Sequence, residues 1–161
     1  MKFVRVNKSA QGDGTFTFLL SKRDRNFLLS ILKLFPMTET KSLRVSQTSA
    51  KALDASQDLL VEAMAEQQRQ HAKKIERLLK RPSRFFHETE GVIQLVLNGE
   101  QMEWMLQALN DIRVGSWTRL GCPEMEAARK AVRTEESAAH YTAMELSGYF
   151  EAALLEGFRH T

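Results

Sequence analysis

The stretch from Val92 to Gly121, VIQLVLNGEQMEWMLQALNDIRVGSWTRLG, constrains the fold more than any other part of the chain. Val92-Ile93-Gln94-Leu95-Val96-Leu97 is a nearly continuous apolar run, which predicts a strand covered on both faces. Asn98-Gly99 supplies turn chemistry. From about Glu100 to Leu120 the apolar residues Met102, Met105, Leu106, Leu109, Ile112 and Leu120 recur at helical spacing, and Gly121 stands where a helix end favours a left-handed residue. A strand that runs directly into a long helix requires both a sheet and a helical layer.

The N-terminus supplies the rest of the sheet. Phe3-Val4-Arg5-Val6 and Thr15-Phe16-Thr17-Phe18-Leu19-Leu20 read as two strands, with Gly12-Asp13-Gly14 as the turn of a hairpin. Phe16 and Phe18 share one face, which should be buried. Ser21 caps a helix to about Leu34, Asp24 completes the capping arrangement, and Phe35-Pro36 ends it. Phe27, Leu28, Ile31, Leu32 and Phe35 form its apolar stripe. Residues 37–45 read as a polar loop, and Phe85 to Glu90 as a connector.

Between them Ser46 or Ser49 caps a long helix that Arg81-Pro82 stops. Its ends are apolar, with Leu53, Leu59, Leu60, Val61 and Met64 at one and Ile75, Leu78 and Leu79 at the other. Its middle, Glu66 to His71, offers little to a hydrophobic core. The helix, about residues 49–80, should therefore project into solvent, lie against another chain, or break, and a break is disfavoured because neither Gly nor Pro occurs within it. Two more helices follow, one from Pro123 over Glu124 to Arg133 and one capped by Ser137 with the stripe Met144, Leu146, Tyr149, Phe150, Ala153, Leu154 and Phe158.

These elements define an α+β fold, a mostly helical single domain over residues 1–161 in which a small sheet, the N-terminal hairpin plus one strand near 92–97, is packed by a helical bundle. With 161 residues, 43% apolar and 27% charged, one compact core is expected. No run of eighteen apolar residues occurs and the first residues alternate apolar with polar, so neither membrane nor signal segment is expected and the chain reads as cytoplasmic. The net charge of +3 is uneven: residues 1–90 carry 17 Lys/Arg against 10 Asp/Glu, and residues 91–161 carry 6 against 10. Such polarity suits steering of a partner or head-to-tail contact.

The order of hairpin, Ser-capped helix ending in Leu-Phe-Pro, polar middle and strand, followed by Trp104-x4-Leu109-Asn110-Asp111-x-Arg113 and Thr118-Arg119-Leu120-Gly121, resembles the bacterial domain of unknown function 2017 family. The resemblance covers most of the chain and is weakest over residues 37–90. It implies a domain without an assigned activity, whose actinobacterial members lie near genes for the adaptor of the Clp protease.

No catalytic constellation stands out, so a non-enzymatic interaction or regulatory module is expected. On the central helix Leu106, Asn110, Arg113 and Trp117 fall on one face. Asn110 and Arg113 either tie this helix to a loop or to a carboxylate on the C-terminal helix, or Arg113 and Arg119 build an anion or peptide-carboxylate pocket beside Trp104, Asp111 and Trp117. His71, His87, His140 and His160 lack the spacing of a metal site, no Gly-rich phosphate loop occurs, and the lone Cys122 reads as a semi-buried structural thiol. No cofactor is implied. Arg69, Lys73, Arg77 and Lys80 or Arg81 recur along one helix face, with Lys74 and Arg84 close by and only Glu76 opposing them. This stripe reads as a solvated face, as a contact for a protein partner or a homodimer, or alternatively as a surface for nucleic acid, although it lacks interleaved aromatics for stacking.

Overall fold

The computed structural model of the chain describes residues 1–7, 14–38, 51–124 and 127–160. Strands β1 (Lys2–Asn7), β2 (Thr15–Leu20), β3 (Phe86–Thr89) and β4 (Val92–Asn98) form one antiparallel sheet in the order β1-β2-β4-β3. Helices α1 (Lys22–Leu32), α2 (Lys51–Lys80), α3 (Gly99–Arg119) and α4 (Glu135–Phe158) complete the α+β fold. The N-terminal hairpin forms as predicted, with its register shifting between Phe3 and Arg5; its turn residues 8–13 lie outside the described residues.

Pairing register places Phe16 opposite Leu97, Phe18 opposite Leu95 and Leu20 opposite Ile93, and Phe86 also opposes Leu95. All seven side chains are buried, so the sheet turns one apolar face to the helices. This corrects the expected double coverage of Val92 to Leu97: Val92 is exposed, and Gln94 and Val96 are only half-buried on the far face. The segment 86–89, read as a connector, is the fourth strand. It reverses into β4 through Glu90 and Gly91, both at positive φ (52° and 78°).

Local capping fixes the helix ends. Ser21 and Asp24 form the expected reciprocal box at α1, which ends at Leu32, before the cis Phe35-Pro36 peptide. Asn98 and Gln101 form a second box at α3, and Gly121 (φ 84°) follows its end, where Leu120 is half-buried. α4 is capped by Thr134 and not by Ser137, which occupies the third helical position and reciprocates. The helix expected over 124–133 is a single 3-10 turn, Ala128–Ala131, among the described residues. α2 runs unbroken to Lys80, where a 3-10 turn at Pro82–Arg84 follows; the predicted caps Ser46 and Ser49 lie outside the described residues. Among the described residues no helix is long and apolar enough to cross a membrane.

α3 and α4 pack antiparallel across the sheet. A Cβ on Gly157 would lie 3.3 Å from Met102 and 3.1 Å from Phe18, and one on Gly148 would lie 3.8 Å from Arg113 Cδ. As α3 advances from 102 to 113, its neighbours on α4 therefore retreat from 157 to 148. The core between them holds Met102, Met105, Leu109, Ile112, Phe150 and Leu154, all fully buried. Among the described residues α2 reaches this core through Ile75, Leu78 and the half-buried Leu79 near its C-terminal end.

Met37, read as the start of a polar loop, is a core residue. The absence of a side chain at Gly115 lets it approach: a Cβ there would sit 2.5 Å from Met37 Cβ and 3.1 Å from its carbonyl carbon. Gly115→Ala is expected to lower unfolding free energy by about 1–3 kcal/mol in urea titration, because overpacking outweighs the helix propensity gained. Gly148→Ala, where the new methyl meets only Arg113 Cδ at ordinary contact distance, should leave stability unchanged or slightly raised.

Candidate functional site

The polar residues of α3 that the sequence singles out are divided among separate neighbours. Asp111 serves the loop after Pro36: Oδ1 accepts from Met37 N (2.6 Å), and Oδ2 accepts from the Thr38 hydroxyl and from Gln68 Nε2 (3.3 Å). One turn beyond Gly115, Arg119 donates from Nη1 to Met37 O (3.1 Å) and the Ser116 hydroxyl contacts Met37 Sδ (3.5 Å). The carboxylate and the guanidinium thus hold opposite ends of one residue's backbone. That is a structural clamp, and it removes Arg119 from the expected anion pocket.

Arg113 points to another neighbour. Its Nε lies 3.1 Å from Glu151 Oε2 on α4, the tie to a C-terminal-helix carboxylate that the sequence allowed. The pair is asymmetric, with side-chain exposures of 45% for Arg113 and 12% for Glu151. Burial pushes the Glu151 carboxyl above its ordinary 4.5, and the nearby Arg113 charge opposes that rise. Arg113 and Arg119 consequently do not converge. Trp104 is 3% exposed and belongs to the core, while Asn110 is exposed.

Beside Arg113 a cavity of about 500 Å³ opens between α3 and α4, lined by Arg113, Val114, Trp117, Met144, Glu145, Gly148 and Tyr149. Three of these, Val114, Trp117 and Tyr149, are exposed apolar or aromatic groups. Of the predicted pocket residues, only Arg113 and Trp117 line it. Tyr149, expected in the buried stripe of α4, and Gly148 were not singled out as site residues; an exposed aromatic and a small residue one turn from Met144 were the available signals. Cys122, expected semi-buried, is exposed just past the α3 terminus. Among the described residues no cluster of three His, Cys, Asp or Glu could hold a metal ion.

The polar middle of α2 is docked rather than projecting. Gln68 Nε2 donates to Thr38 O (2.9 Å) as well as to Asp111, Gln67 bonds Gln107 on α3 (2.9 Å), and His71 is buried. Amide hydrogen bonds replace the apolar contacts that this stretch lacks. Burial, reinforced by Lys74, lowers the His71 pKa below its ordinary 6.5.

The basic stripe is partly neutralised within the chain. Arg69 pairs with Glu66 (2.7 Å), Lys80 with Glu76 (2.6 Å), and Lys74, turned toward α3, with Glu100 (2.7 Å). Lys73, Arg77, Arg81 and Arg84 are exposed, without an ion pair to a described residue. On the same outer face, one and two turns before Glu66, lie exposed Glu62 and Asp58. Comparison of the chain with family models, with curated proteins and with solved structures gives no match.

Arg113→Met should cost about 1–2 kcal/mol at pH 7, less than a fully buried pair because Arg113 is half in solvent. Because the Glu151 pKa is already raised, its charged form is disfavoured in the fold, and that handicap fades as acid protonates it. The deficit of the variant in denaturant titration should therefore shrink as pH falls toward 4.5.

His71 acts in the opposite direction. Its lowered pKa means the unfolded chain takes up the proton first, so the stability it contributes is complete above pH 6.5 and is lost on acidification below that value. Melting curves across pH 7.5 to 5, an interval spanning its ordinary pKa, should show His71→Gln losing less stability than the parent chain.

Proposed function

We propose that the chain is a non-enzymatic interaction module whose contact element is α2, and that its partner there is a second copy of itself. The observation that carries this reading is the order of charges on the outer face of α2. Asp58, Glu62 and Glu66 are followed by Arg69, Lys73 and Arg77, all exposed and spaced so that they fall within about 100° of helix arc. That arc lies opposite the face bearing His71, Ile75 and Leu78. The acidic triplet and the basic triplet are mirror-spaced about the point between Gln67 and Gln68. Two α2 helices laid antiparallel across a two-fold axis would set Asp58 against Arg77, Glu62 against Lys73 and Glu66 against Arg69, each pair occurring twice. Leu59, 69% exposed, adjoins the acidic half and adds apolar area to the same surface.

The alternative partner, nucleic acid, would meet a face whose first half, Asp58, Glu62 and Glu66, is acidic. The same arrangement that repels a polyanion accommodates a copy of itself. The resemblance to the domain of unknown function 2017 family accords with a module lacking assigned chemistry, and a cytoplasmic setting belongs to the same proposal.

Sedimentation equilibrium tests the pairing. The chain should show a salt-sensitive monomer–dimer equilibrium at tens of micromolar, the range of transient contacts. Lys73→Glu and Glu62→Lys should each weaken it by about tenfold or more, since every reversed charge acts twice. The double variant, Glu62→Lys with Lys73→Glu, should restore it. A strictly monomeric chain, or single variants that dimerise like the parent, would remove the proposal.

A further inference from the structure

The cavity between α3 and α4 has the features of a preorganised small-molecule site, independent of α2. Its two aromatic walls are held from behind. Trp117 donates its indole N–H to Pro123 O (2.8 Å), which fixes the ring at the end of α3. Tyr149 meets the Met1 amino group through its hydroxyl and packs edge-on against Phe150, with ring centroids 5.1 Å apart. The polar atom of each ring is thus already engaged by the protein. What remains toward the cavity is apolar ring surface, a binding wall whose ordering cost is met in the fold.

Two charged side chains, Arg113 on α3 and Glu145 on α4, line the opening. The antiparallel crossing sets Arg113 beside Gly148, so Trp117, one turn further along α3, lies toward the Met144 and Glu145 end of α4. Arg113 and Glu145 are therefore offset by about three residues of helix, roughly 4.5 Å along the cleft. Glu151 engages Arg113 at Nε, on the inner edge of the guanidinium, and among the described residues no acceptor takes its terminal amino groups. Those donors have the forked geometry suited to a carboxylate. Exposed Glu145, a few ångströms further along, offers an acceptor for a cation. Gly148 and Met144 also line it, and a Cβ on Gly148 would meet only Arg113 Cδ, so the missing side chain leaves room there.

A cation-binding group, an anion-binding group and aromatic walls in a space of about 500 Å³ complement a zwitterion with a large apolar substituent. We infer that this cleft binds a free α-amino acid with an aromatic or bulky aliphatic side chain. Its carboxylate lies on Arg113, its ammonium on Glu145, and its side chain between Trp117 and Tyr149.

Titration calorimetry of the full chain with L-phenylalanine tests the assignment, with phenethylamine and 3-phenylpropionate as probes that each keep one charge. Saturable one-to-one binding of phenylalanine is expected, at least about tenfold tighter than either probe. Glu145→Gln should weaken phenylalanine by about tenfold while leaving 3-phenylpropionate unchanged or tighter. Gly148→Leu should abolish binding of all three, and its melting temperature, read alongside, establishes that the variant is folded. Gly148→Ala serves the same comparison with a smaller intrusion should the leucine variant unfold. No heat up to solubility-limited concentrations, equal binding of the one-charge probes, or full binding in a folded Gly148→Leu would each overturn the inference.

Discussion

The contact between α3 and residue 37 organises the molecule. Met37 N bonds Asp111, Met37 O bonds Arg119, and the Met37 side chain lies against the bare backbone of Gly115. All three partners lie on one helix at intervals of four residues, so a single face of α3 reads both the main chain and the side chain of one residue. The segment leaving α1 is thereby attached to the central helix, and through Gln68 the same carboxylate also receives α2. Two helices and the loop that leaves α1 meet at Asp111. The apolar face of the sheet, by contrast, meets the helices through hydrophobic contact, with Gly157 allowing α4 to lie directly on Phe16 and Phe18, while Lys22 and Arg25 of α1 pair with Glu88 at its β3 border.

This division explains why a helix as polar as α2 stays on the body. Its inner face changes along its length from Ile75 and Leu78, which are buried apolar groups, to His71 and Gln68, which are buried or half-buried polar groups. The first pair is retained by exclusion from water, and Gln68 is retained by acceptors on α3 and the loop, Asp111 and Thr38 O. Hydrogen bonds contribute little net energy, about 1 kcal/mol each, but leaving such groups unpartnered in a buried position costs more. The register of α2 is therefore fixed by its polar residues and its affinity for the body by its apolar ones.

Where the determinants were local, the sequence was informative. Ser21 with Asp24, and Gly121 after the central helix, occupy the predicted roles because caps depend on residues three or four apart, whereas Asn98, read as a turn residue, is the cap of that helix. Ser137 was misassigned because Thr134 and Ser137 are both capping residues at capping distance, and only the backbone decides which is outside the helix. The strand Phe86–Thr89 was missed since its turn uses Glu90 at positive φ, a residue that carries no turn signal. Arg113 could be referred to a C-terminal-helix carboxylate from its helix face, but nothing in the sequence separates it from Arg119; the two diverge because Met37 takes one of them. The role of Met37 was illegible, being created by the vacancy at Gly115, 78 residues away.

The borders of the sheet bear on how this molecule can meet others. β1 and β3 are its outer strands, and each presents unpaired main-chain groups that another strand could in principle extend. The register shift between Phe3 and Arg5 twists β1 out of line and leaves Val4 outside the ladder, while β3 is only four residues long, with exposed His87, Glu88 and Thr89. A flat, continuous template for strand addition is absent from both borders. Uncontrolled sheet polymerisation is discouraged there, and docking through helical surfaces, which can be terminated by symmetry or by ligand size, is the route left open.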